Sequence, residues 1–129
     1  MVKVITAEEN RQIIQQGIPE ALYGSCRQLT ESLDWADVIA IGPGIGREEQ
    51  ALQCLKTVVE RSRKPLVLDA DALNLLAEEN GRMLAEELSA QGAEGRVVLL
   101  QGRPPHMCEN TGQTISCRSS CQGCEDCGM

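Results

Sequence analysis

The sequence predicts an α/β fold, a parallel sheet flanked by helices, and three observations carry that prediction. The clearest strand candidates, Asp37 to Ile41, Leu66 to Leu68 and Arg96 to Leu100, are apolar at consecutive positions, a pattern that suits strands buried on both faces. Between the first two, Ala51, Leu52, Leu55, Val58 and Val59 recur at helical spacing. Strands and helices alternate with short turns between them, the order of parallel strands joined by helical crossovers.

The elements follow in order. Val2 to Ile5 is a short apolar strand candidate, and Thr6 with Glu9 three residues on has the pattern of a capping box. A helix to about Gln16 is expected there, ended by Gly17 and Pro19. After the strand at Asp37 to Ile41, Gly42-Pro43-Gly44-Ile45-Gly46 breaks the run, and a helix is expected from about Arg47 to Ser62. Glu48 and Glu49 in its first turn, and Arg61, Arg63 and Lys64 in or after its last, complement the helix dipole. Pro65 opens the next strand, and Asp69-Ala70-Asp71 leads into a helix from about Ala72 with Leu73, Leu75 and Leu76. Asn80-Gly81 bends or ends it, a second helical piece runs to about Ser89, and Arg96 to Leu100 is the last strand.

Composition narrows the function. Twelve Lys and Arg against nineteen Asp and Glu give a formal net charge of −7, which argues against a nucleic-acid backbone as partner. The longest apolar runs, Val38 to Ile41 and Val97 to Leu100, are far short of the roughly 18 residues of a membrane span. The N-terminus has no signal-peptide stretch, so a cytoplasmic location is expected. With no Phe, and Trp35 and Tyr23 as the large aromatics, the core must be aliphatic. The character of the chain changes near Gln101. Residues 1–100 read as the α/β domain, whereas residues 101–129 hold five of the seven cysteines and few other apolar residues than Met107, Ile115 and Met129. This tail is expected to be disordered unless metal or disulfides organise it.

Ligands of open parallel sheets bind beyond the carboxyl ends of the strands, and two motifs fall there. The first is Gly42-Pro43-Gly44-Ile45-Gly46 before a helix start, where glycines allow close backbone approach and the helix offers N–H groups to an anion. A tight turn with no ligand is the plain alternative. The second is Asp69-Ala70-Asp71. Two carboxylates at a strand tip can hold a sugar hydroxyl or a metal-bound phosphate. Asp71 is well placed as the N-cap of the next helix. Asp69 has no such structural reason, and a carboxylate at a buried strand end is costly unless paired. The sole histidine, His106, is read either as a surface residue or as a functional group. Cys117, Cys121, Cys124 and Cys127 are spaced closely enough to hold zinc or an iron–sulfur cluster.

Taken together, Ile-Gly-Pro-Gly-Ile-Gly at 41–46, Pro-Leu-Val-Leu-Asp-Ala-Asp-Ala-Leu-Asn at 65–74 and Pro-His-x-x-Glu at 105–109 resemble, in that order, the ADP-dependent NAD(P)H-hydrate dehydratases, carbohydrate-kinase-like enzymes of ribokinase-like fold. Pro19-Glu20-Ala21-Leu22 resembles the segment preceding the family's glycine loop. The resemblance implies a partial ribokinase-like domain. It implies removal of water from hydrated NADH or NADPH, with ADP or ATP and Mg2+ activating the departing hydroxyl. It places Gly44 and Gly46 against the hydrated nicotinamide nucleotide, His106 in contact with it and Glu109 as companion acid. Asp69, Asp71 and Asn74 then line the floor of the cleft. Family members are often homo-oligomers. The family's Lys-Gly nucleotide loop and its Gly-Thr-Gly-Asp loop, whose Asp is the catalytic group, have no counterpart in these 129 residues. The chain is therefore expected to be a fragment from the middle of the domain, inactive alone, with a tail from a shifted reading frame. Two alternatives carry different chemistry: another ribokinase-like small-molecule kinase, and a metal-binding protein using the C-terminal cysteines.

Overall fold

The computed structural model describes residues 1–101. Two parallel sheets organise it. Strands β1 (Lys3–Thr6) and β2 (Leu22–Ser25) form a pair, with Lys3 opposite Leu22 and Thr6 opposite Ser25. Strands β3 (Ile39–Ile41), β4 (Leu66–Asp69) and β5 (Val98–Gln101) form a second sheet with β4 central, all parallel. Five helices join them: α1 (Arg11–Gly17), α2 (Leu29–Trp35), α3 (Glu49–Arg61), α4 (Asp71–Ala77) and α5 (Arg82–Ala93). Single 3-10 turns at Glu8–Asn10, Cys26–Gln28 and Glu79–Gly81 lead into α1, α2 and α5. The expected parallel α/β arrangement is thus present.

The core is aliphatic, as a chain without Phe requires. Ile39, Leu66 and Leu68 project from one face of the three-stranded sheet. They join Leu55, Val58 and Val59 of α3, Leu73, Leu75 and Leu76 of α4, and Leu84 and Leu88 of α5 in one cluster. The opposite face departs from the expectation of burial on both sides. Val38, Ala40, Val67 and Val97 share it by strand alternation. There Val38 is 59% exposed and Val97 54%, and Ala40 is exposed as well. Among the described residues, helices cover one face only.

Three further differences have local causes. Thr6 does not cap a helix, because it is the last paired residue of β1. Its hydroxyl instead accepts a hydrogen bond from Asn10 Nδ2 at 3.0 Å, and α1 begins later, at Arg11. Strand β2 and helix α2 arise where the sequence shows no long periodic run. Buried Gly24 lets β2 pack against Ile5: a Cβ there would stand 2.5 Å from Ile5 Cδ1. Arg11 lies over the ring of Tyr23 at 5.6 Å, tying α1 to the same strand.

At the end of the sheet where the strands start, a polar knot fixes β5 to the helices. Buried Arg96 donates from Nε to the Lys64 carbonyl at 2.9 Å and from Nη1 to Gln91 Oε1 at 2.7 Å. Gln91 Nε2 in turn donates to the carbonyl of Val59 at 3.1 Å. Burial, and then the neighbouring charge of Arg63, hold the Arg96 pKa below its ordinary value. The bonds to backbone carbonyls and to Gln91 give Nε and Nη1 of the buried guanidinium acceptors in place of water, while Nη2 has none among the described residues. The knot anchors the sheet at one end, so the loops at the other end hang from a fixed frame.

Candidate functional site

The carboxyl ends of β3 and β4 carry the two loops that the sequence singles out, and the register sets them side by side. Ile41 pairs with Leu68, so Gly42 follows β3 at the level of Asp69. The contact is backbone to backbone. A Cβ on Gly42, whose φ is +138°, would lie 1.7 Å from the carbonyl oxygen of Asp69. The glycine loop then turns back on itself, with the Ile45 N–H donating to the Gly42 carbonyl at 3.2 Å. Gly44 and Gly46 both take positive φ, +70° and +82°.

The three glycines have different surroundings. A Cβ on Gly44 would meet nothing within 4 Å, so this residue faces open space. At Gly46, the Glu48 carboxylate folds over the α-carbon, 2.4 Å from where a Cβ would lie. The Gly46 N–H is also occupied, since it donates to Asp71 Oδ2 at 3.1 Å. The loop amide expected to meet an anionic ligand therefore already has a carboxylate partner within the chain.

On the second loop, Asp71 is the first residue of α4 and not its N-cap, and no side-chain cap bond forms. The cap position is Ala70, whose carbonyl accepts from the N–H groups of Leu73 and Asn74 at 3.0 and 3.2 Å. Ala70 has φ 47° and ψ −121°, outside the regions alanine ordinarily adopts. Its N–H donates to Asp69 Oδ1 at 2.7 Å. Asn74 Nδ2 reaches Asp71 Oδ1 at 3.4 Å. The structure thus brings Gly44, Gly46, Asp69, Asp71 and Asn74 to one end of the sheet. His106, Glu109, Cys117, Cys121, Cys124 and Cys127 lie outside the described residues, as does the tail read as disordered or frame-shifted.

Next to this site, α3 begins and α4 ends around a shallow cavity of about 160 Å³. Arg47, Glu49, Leu52, Leu75 and Glu78 line it, and neither Gly44 nor Asp69 does. Arg47 is held there by Glu78, with Nε donating to Oε1 at 2.8 Å. No local pattern signals this pair, whose members are 31 positions apart. The same holds for the Gly46–Asp71 bond, which spans 25.

The fit to Mg2+ follows from the donor set. Among the described residues no group of three or more carboxylates, cysteines or histidines converges as metal ligands. Both Asp71 oxygens and one Asp69 oxygen are already acceptors within the chain. Asp69 and Asp71 are engaged within the chain and, among the described residues, no third such ligand joins them.

A family model for NAD(P)H-hydrate dehydratase matches residues 1–116, most of the chain. The chain belongs to the NAD(P)H-hydrate dehydratase family. The family match extends past the described residues and takes in His106 and Glu109. It favours the dehydratase over the small-molecule kinase reading. The chain is 47% identical over 79 residues to the bifunctional NAD(P)H-hydrate repair enzyme Nnr of Escherichia coli, covering 60% of this chain and 15% of that protein. It is 42% identical over 85 residues to the ADP-dependent (S)-NAD(P)H-hydrate dehydratase of Streptococcus thermophilus, covering 62% and 31%. The chain therefore spans less than a third of the length of either relative.

Two solved structures establish the fold. A ribokinase-like superfamily protein of Enterococcus faecalis superposes with a TM-score of 0.58 at 24% identity, covering 78% of this chain and 46% of that one. A hypothetical protein of Streptococcus mutans gives 0.59 at 20% identity, covering 81% and 49%. In this chain, the glycine loop and the Asp-Ala-Asp turn are thus two loops at the strand ends of a sheet of ribokinase-like fold.

Proposed function

We propose that this chain supplies the wall of a dehydratase site that receives the hydrated nicotinamide nucleotide. In the reaction, a phosphoryl group from ADP or ATP activates the hydroxyl that leaves the hydrated ring. The observation that carries the reading is Gly44. It is the member of the glycine loop with open space above it, at the same strand ends as Asp69 and Asn74. The name of the Streptococcus thermophilus relative supports an ADP-dependent version of the chemistry.

The charges around the loop favour one part of the ligand over another. Glu48 and Asp71 crowd Gly46, Asp69 stands beside them, and the nearby Arg47 is engaged by Glu78. An acidic rim of this kind repels a polyphosphate and accepts hydroxyl donors. The free Asp69 oxygen and the Asn74 amide suit the ribose hydroxyls or the ring hydroxyl. His106 and Glu109 are proposed to complete the substrate contacts from the segment beyond β5. Residues 1–101 bind and orient; the phosphoryl donor must be held elsewhere. Among the described residues, no helix is long and apolar enough to cross a membrane.

The test is Gly44→Asn. Asparagine tolerates the positive φ of this position, and its side chain projects into the open space where the ligand is placed. Calorimetric titration with hydrated NADPH is expected to show at least about a tenfold loss of affinity. The melting temperature is expected to move by no more than about 5 °C. Unchanged affinity in a folded variant rules out this face of the loop as the binding wall.

A further inference from the structure

We infer that Asp71 is a positioning residue, which sets the shape of the glycine loop and does not itself touch the substrate. The inference rests on the functional reading above and deepens it. Both carboxylate oxygens are in use: Oδ2 accepts the Gly46 N–H at 3.1 Å and Oδ1 accepts from Asn74 Nδ2 at 3.4 Å. The two loops thereby become one unit, joined by backbone packing at Gly42 and by a carboxylate at Gly46.

Without that carboxylate, the partly buried Gly46 N–H loses the acceptor it has among the described residues, and an unpaired donor of this kind is costly. Relaxing it means turning Gly46 toward solvent. Gly44, two residues earlier, then loses the orientation that keeps its outer side open. Asn74 holds the Asp71 carboxylate from the far side, so the bond to Gly46 has a fixed direction. The strained Ala70 turn is what delivers Asp71 to the first position of α4, within reach of the loop.

A specificity consequence follows. A helix start after a glycine loop is ordinarily open to phosphate. Here the Gly46 amide is taken by Asp71 and roofed by Glu48. The loop presents a short backbone ledge to an uncharged, hydroxyl-bearing portion of the ligand and excludes its phosphates.

Two substitutions separate positioning from direct contact. Asp71→Asn removes the charge but keeps an acceptor oxygen at the same reach. Asp71→Glu keeps the charge but displaces the oxygens by one methylene. If Asp71 positions the loop, Asp71→Asn weakens hydrated NADPH binding by about threefold and Asp71→Glu by about thirtyfold or more. Amide exchange of Gly46, measured by NMR on the unliganded chain, is then at least about tenfold faster in Asp71→Glu and little changed in Asp71→Asn. The reverse ranking, with Asp71→Asn losing affinity while Gly46 stays protected, makes Asp71 a direct ligand and overturns the proposal. Equal Gly46 exchange in all three proteins overturns it as well. A wild-type chain that does not bind hydrated NADPH defeats the functional reading, and the exchange comparison still decides the loop assignment on its own.

Discussion

Gly42→Ala is expected to destabilise the fold by at least about 4 kcal/mol, in the range that only backbone or core disruption reaches. Two causes act together. The φ of +138° is a conformation that alanine does not adopt without strain, and the added methyl would stand 1.7 Å from the Asp69 carbonyl oxygen. Neither neighbour can yield, because both are backbone at the ends of hydrogen-bonded strands β3 and β4. Domains of this size have only about 5 to 15 kcal/mol in all, so the variant should be largely unfolded at moderate denaturant. Urea titration followed by circular dichroism reads this directly. A midpoint within error of wild type would mean that the two loops are not in backbone contact. Gly44→Asn is the internal control, since the same loop is altered there without a steric neighbour.

The second large effect concerns turnover. The polypeptide of residues 1–129 is expected to recover NADPH from its hydrate, with ADP or ATP and Mg2+ present, more than about 10⁴-fold more slowly than an intact family member. Phosphoryl transfer depends on positioning and on electrostatic stabilisation of the transferred group. Neither Gly-Thr-Gly-Asp nor a Lys-Gly pair occurs in these 129 residues. The acidic loops at the strand ends are unsuited to hold the phosphates in their place. Losing one stabilising donor of this kind typically costs about 10² to 10³-fold, and several are missing together. The absorbance of the reduced nicotinamide reports the rate. Turnover within about tenfold of an intact relative would show that the site is complete without those loops.

What the sequence disclosed, and what it withheld, follows from the range of each interaction. Strands β3, β4 and β5 and helix α3 were legible because their apolar residues recur locally, and each buries enough surface to impose its own period. Strand β2 was not: it is four residues long, holds Gly24, and becomes a strand through pairing with β1. Helix α2 is seven residues with Leu29 and Leu33 as its inward anchors, too short to stand out from turn sequence. Thr6 carried a genuine capping pattern, but the ladder with Ser25 claimed its backbone first. The consecutive apolar residues of β3 suggest burial on both faces, yet Ala40 is exposed among the described residues.

At the site, the glycine loop at 42–46 and Asp69 stand out because strand-end loops announce themselves by composition, whereas Asn74 enters only through the family resemblance. Asp71 gives no such signal of its bond to Gly46. Its position before an apolar helical run signals a cap, and its actual partner, the Gly46 N–H, is a backbone group that leaves no mark on the spacing. Glu48 and Glu49 complement the helix dipole in the sequence pattern, and only the three-dimensional loop shows Glu48 lying over Gly46.

Whether this chain carries a competent substrate wall of the dehydratase family is decided by a graft. The 79-residue segment that matches the Escherichia coli repair enzyme at 47% identity is exchanged into that enzyme, which supplies everything else. Recovery of NADPH from its hydrate is then measured under saturating ADP. If the wall is competent, kcat/KM of the chimera lies within about tenfold of the parent, and Gly44→Asn introduced through the graft raises KM. A chimera that is folded and binds ADP normally, yet is more than about a thousandfold slower, would show that the wall is not competent.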